Sequence, residues 1–117
     1  MPETEGDELV SLSVRQLKAR RRRLAKRLTD PEMTLRGSVV NQMRRCGKPG
    51  CRCAEGELHG PYVYLSLGRT ATPRLVYVPA ELADAVRRHV ALTEAAERAL
   101  VQISAINLEL LARRELD

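Results

Sequence analysis

A chain of 117 residues is one modest domain's worth of protein, enough for a single core and too short for two independent ones. With no Phe, no Trp and only Tyr62, Tyr64 and Tyr77 as aromatics, that core must be aliphatic. Three cysteines cannot pair completely and no apolar leader or membrane-length run is present, so secretion and membrane spanning are disfavoured; a cytoplasmic protein with reduced thiols is expected, nucleoid-associated if it binds DNA.

The net charge of +5 is unevenly spread. Residues 1–79 hold fifteen basic and eight acidic side chains, and residues 80–117 hold five and seven. A polyanionic partner is therefore expected for the first part of the chain.

Residues 1–10 are acidic and without apolar periodicity, which predicts a disordered tail. Residues 11–29 predict a helix, with Ser13 and Gln16 at capping-box spacing and Thr29-Asp30-Pro31 as the stop. Val10, Val14, Leu17, Leu24 and Leu28 share one face; Arg15, Lys18, Arg20, Arg21, Arg22, Arg23, Lys26 and Arg27 wrap the rest. This is a basic amphipathic helix. Ser38 to Arg45 can be extended. Residues 62–67 and 74–78, rich in Tyr, Val and Leu, predict a β-hairpin closed by Pro79. From Ala80 to Arg114 there is neither Gly nor Pro, which predicts one long helix. Steps of three and four along it reach Leu100, Ile103, Asn107 and Leu110, a coiled-coil seam in which Asn107 would set register in a homodimer. The same face could instead fold back on the first helix. The expected architecture is α+β: basic helix (11–29), zinc knuckle with a small antiparallel sheet or hairpin (36–79), and long C-terminal helix (80–117).

Between the extended segment and the hairpin lies RRCGKPGCRCAEGELHGPY, which places Cys46, Cys51, Cys53 and His59 in a short stretch. Three thiolates and an imidazole form the donor set of a closed structural zinc site, so one Zn²⁺ per chain is expected. Arg44, Arg45, Lys48 and Arg52 stand next to the resulting negative charge and favour the thiolates. Gly47 and Gly50 permit the tight turns that a knuckle around sulfur requires. An iron–sulfur cluster, a redox thiol or simply buried cysteines are the competing readings.

With CGKPGCRC, ELHGPYVYLS and LVYVP in view, the chain resembles a family of small uncharacterised bacterial and archaeal proteins with the pattern RRCGKPxCRCxxGExHGPYxYL, then YVP and a long helix. The resemblance runs from about Arg36 to the C-terminus and leaves the basic helix outside. The hairpin tip departs from the family's Gly-Gly-Lys, being Gly68-Arg69-Thr70 here. The resemblance implies no defined activity; it implies an association with mobile-element or recombination genes.

No catalytic triad, carboxylate pair, Walker loop or dinucleotide fingerprint is present, and His59, if it binds metal, cannot act as a base. A non-enzymatic role is expected. The leading expectation is a zinc-containing nucleic-acid-binding accessory protein, DNA favoured narrowly over RNA. The basic helix, Arg44, Arg45, Lys48, Arg52 and the hairpin residues Arg69 and Arg74 would meet the nucleic acid. The rival is an adaptor that captures a protein partner in a larger assembly through the long helix, with the zinc site purely structural.

Overall fold

A computed structural model of the chain describes residues 8–28, 30–45, 50, 56, 58–68, 71–72 and 74–117. The protein is α+β, with a three-stranded antiparallel sheet and a long C-terminal helix. Helix α1 spans Val14–Ala25 and helix α2 spans Ala83–Ala112; the strands are β1 (Ser38–Arg44), β2 (His59–Leu67) and β3 (Arg74–Val78). Short 3-10 turns occupy Pro31–Met33 and Ala80–Leu82. No described helix is long and apolar enough to cross a membrane. The chain divides into two compact units, Met1–Met33 with Leu92–Asp117, and Thr34–Ala91.

The first unit is helical. Ser13 caps α1 by accepting from the Gln16 backbone N–H, and the Gln16 side chain accepts in return from the Ser13 N–H, so both orphan donors are satisfied. The helix is shorter at both ends than the expected span of 11–29. Its regular hydrogen bonding ends at Ala25, and looser turns carry the chain on to Leu28. Leu17 and Leu24, two turns apart, are buried against Leu9, Ile106 and Leu110, with Leu12, Val14, Ile103 and Ala105 around them.

Residues 8–10 correct the expectation of a disordered tail over residues 1–10: they are helical, and Leu9 belongs to this core. Its apolar side chain finds long-range partners that local composition does not reveal. Arg113 fastens the segment by donating to the carbonyls of Leu9 and Val10 at 3.1 and 3.0 Å. Residues 1–7 lie outside the described residues. At the end of α2 the Glu115 N–H reaches the Leu110 carbonyl and the Arg114 N–H that of Leu111, with Arg114 left-handed at φ 58°. That is a Schellman closure made without glycine.

The second unit is a meander of order β1-β2-β3. β3 has the bounds expected for the second hairpin strand, β2 begins three residues before the expected start, at His59, and β1, within the stretch expected to be extended, joins it as a third strand. Strand alternation turns Val63, Leu65 and Leu67 toward a core with Val39, Val78, Ala83, Val86 and Val90, where the beginning of α2 covers one face of the sheet. Two glycines are required by contact. A Cβ on Gly37, at φ 150°, would lie 2.8 Å from Leu65 Cδ1; one on Gly60, at φ 126°, would lie 2.8 Å from the Gln42 carbonyl oxygen. Gly60 sits where the β1–β2 register slips between Gln42 and Arg44, a bulge that carries the strands to their last pair, Arg44 with His59.

Candidate nucleic-acid interface and metal loop

Helical periodicity sorts the basic residues of α1. Arg20 and Arg21 are each three or four residues from both Leu17 and Leu24, so they flank the buried stripe; Arg15, Arg22 and Lys26 are two, five or nine residues from those leucines and point oppositely. Their contacts follow. Arg20 Nη2 lies 2.8 Å from Glu8 Oε1. Arg21 donates to Asn107 Oδ1 at 2.9 Å and grips both carboxylate oxygens of Asp117 at 3.0 Å. The hydrogen bond from Arg21 holds the Asp117 carboxyl down at about 2, against an ordinary 3.8, and the field of the same guanidinium and of Lys18 adds to it. The Arg21 guanidinium is raised in return, chiefly by its bond to Asp117. The hydrogen bond from Arg20, then its charge, lowers Glu8 likewise.

Two members of the expected phosphate-binding set are therefore engaged within their own unit. Arg15, Arg22, Arg23, Lys26 and Arg27 are exposed, and no ion pair joins them to another described residue. Lys18 is half-buried. A groove of about 290 Å³ runs beside the helix, with Arg20, Arg23 and Arg27 at its rim and Leu9, Leu24 and Ile106 among the residues lining it.

The expected coiled-coil seam does not form a free face. Leu110 is wholly buried in the helical core, Ile103 packs on that core, and Asn107 receives its hydrogen bond from Arg21 of the same chain. Only Leu100 remains exposed, at 54 %. Steps of three and four fit a fold-back on α1 as well as a second chain, and here they serve the fold-back.

In the second unit, Cys46, Cys51, Cys53, Lys48, Arg52 and Arg69 lie outside the described residues. The connection that carries the three cysteines leaves β1 and re-enters at β2, and its two ends are the paired residues Arg44 and His59. His59, half-buried, therefore stands at the root of the loop that holds the other three candidate ligands. Among the described residues no group of three His, Cys, Asp or Glu side chains converges. Arg74 is exposed at the start of β3. Arg44 lies over the Tyr64 ring, 4.7 Å from its centroid, and donates from Nε and Nη2 to Gln42 Oε1. Tyr62, Tyr64 and Tyr77, absent from the residues expected to bind, line an open concavity together with Arg44, Arg45 and His59. The alternation of Tyr62 and Tyr64 with Val63 and Leu65 is the signal that could have found them.

A family model described as Domain of unknown function (DUF6788) matches residues 14–88. The chain belongs to the DUF6788 family. The match starts at the first residue of α1, so the basic helix is part of the DUF6788 domain, in contrast to the extent expected from the cysteine motif. It ends at Arg88, near the beginning of α2. No curated protein and no solved structure matches the chain.

Proposed function

We propose that this DUF6788 protein is a small, non-enzymatic nucleic-acid-binding module whose β1–β2 loop is held by one zinc ion. The observation that carries the reading is the set of exposed cations along α1 and its cap: Arg15, Arg22 and Lys26 lie on the side away from the apolar stripe, and Arg23 is exposed beside them. Phosphate contacts need cations that can leave water for the polyanion without first breaking an ion pair, and displacement of condensed counterions then drives association. Zinc is supported by the donor set and by the closure of the loop at Arg44 and His59. Cys46, Cys51, Cys53 and His59 would hold the ion, which neutralises the thiolates and fixes the loop.

Titration of labelled duplex and single-stranded DNA and RNA with the purified protein tests the reading. Binding that falls steeply with added salt is expected. No association with any of the four at low salt would overturn it.

A second reading has its own observation. Val101, Leu108 and Leu111 on α2 are 68 %, 62 % and 56 % exposed at steps of seven and three, an apolar row that suits a protein partner or a second copy of the chain. Salt-insensitive self-association, lost on Leu108→Glu, would favour this adaptor or homodimer role.

A further inference from the structure

All three tyrosines of the chain, its whole aromatic complement, line one concavity in the strand unit. Alternation along β2 commits Val63, Leu65 and Leu67 to the core and leaves Tyr62 and Tyr64 to the opposite face. The β2–β3 register then sets Tyr77 directly across from Tyr64, with ring centroids 5.8 Å apart and planes at 69°. Arg44 covers Tyr64 from the β1 side, Arg45 follows it, and the concavity between them measures about 510 Å³. Tyr77 is 55 % exposed.

The core on the other face is complete with aliphatic side chains alone, so burial does not account for these rings. Rings held at a surface beside guanidinium groups offer what an unpaired base needs: a flat face on which to stack, and a cation for the adjoining phosphate. A duplex hides its base faces in its own stack and gains nothing from such a platform. A proline-rich peptide also favours aromatic grooves, but its prolines supply no anion beside the rings, whereas every nucleotide does.

We infer that this face of the sheet binds single-stranded nucleic acid, stacking unpaired bases on Tyr64 and Tyr77 with Arg44 and Arg45 at the phosphates. The inference rests on the nucleic-acid reading above and deepens it by naming unpaired strands as the ligand of this face.

The chain contains no Trp, so its intrinsic emission comes entirely from the tyrosines of this platform. The full-length protein is titrated with oligothymidylate of about 15 nucleotides and with a duplex of equal length, following tyrosine emission, corrected for absorption, and the anisotropy of a labelled strand. The single strand should quench tyrosine emission and the duplex should not. Tyr77→Ala should weaken single-strand affinity about 5- to 100-fold with duplex affinity unchanged, and Tyr77→Trp should restore it. Tyr77→Ala that leaves single-strand affinity within about twofold while the wild type binds both ligands would overturn the inference and leave the basic-helix reading standing. Equal loss for single strand and duplex, or quenching by a polyproline peptide and not by oligothymidylate, would also overturn it. A wild type that binds neither nucleic acid removes both readings together.

Discussion

Arg21 donates from Nη1 to Oδ1 of Asn107 over 2.9 Å, joining the polar flank of α1 to the far part of α2 inside the helical unit. The same guanidinium holds Asp117, so one arginine organises an amide and a carboxylate that would otherwise face water alone. The charge of α1 is thus divided between a flank that closes the unit and an outward row available to a partner.

The Asp117 carboxyl, held at about 2 against 3.8, gives this arrangement a pH signature. A carboxylate with a depressed folded pKa contributes stability that is full above its unfolded pKa, near 4, and is lost as pH falls through the folded value near 2. Asp117→Asn should therefore melt slightly below the wild type at neutral pH, and the two should converge toward pH 2. The exposed pair is screened by solvent, so the difference at neutral pH should be small and shrink further in high salt. Melting curves of both proteins across pH check the sign.

Leu17 is fully buried between Leu9, Leu24, Ile106 and Leu110. Leu17→Ala should cost about 2–5 kcal/mol in urea denaturation, because it removes transfer energy and leaves a cavity. Val10→Ala, at a side chain that is 65 % exposed, should change stability by less than about 0.5 kcal/mol in the same measurement.

Gly60 combines a φ of 126° with a Cβ position 2.8 Å from the Gln42 carbonyl oxygen. Since backbone is the obstacle, relief requires β1 and β2 to separate at the bulge. Gly60→Ala should destabilise the strand unit by more than the roughly 1 kcal/mol of an ordinary backbone preference. Hydrogen exchange should show lost protection at the Arg44–His59 end of the β1–β2 ladder.

Freshly reduced protein should carry close to one zinc per chain by metal analysis. Cys51→Ser and Cys53→Ser should lose it, and chelation should lower the melting temperature, since metal binding contributes directly to folding. Protein without stoichiometric metal would reject the zinc loop, and an iron chromophore would replace it with a cluster.

Local chemistry made much of this fold legible. The Ser13–Gln16 capping box, the β-rich runs ending at Leu67 and Val78, and the uninterrupted stretch leading to Ala112 each announce themselves within a few residues. What depended on distant partners did not. The burial of Leu9 requires Ile106 and Leu110, and the fate of Arg20 and Arg21 requires Glu8 and Asp117. The seam at Ile103, Asn107 and Leu110 was ambiguous for a physical reason: over two turns, periods of 3.5 and 3.6 residues barely diverge, so pairing with a second chain and packing on α1 select the same positions. The tyrosine face depends on the β1–β2 register that brings Arg44 to Tyr64, which an extended stretch over residues 38–45 does not by itself fix.

The division of the α1 cations is tested most directly by the salt dependence of duplex binding in two charge-neutralised variants. In one, Arg15, Arg22, Arg23 and Lys26 become Gln; in the other, only Arg20 and Arg21 do. If the outward row meets the phosphates, the first variant should lose about 3 to 4 from the magnitude of the log–log salt slope, with affinity falling alike for all sequences. The second should keep the slope and lose stability instead. An unchanged slope in the first variant, or a slope lost only in the second, would contradict the account.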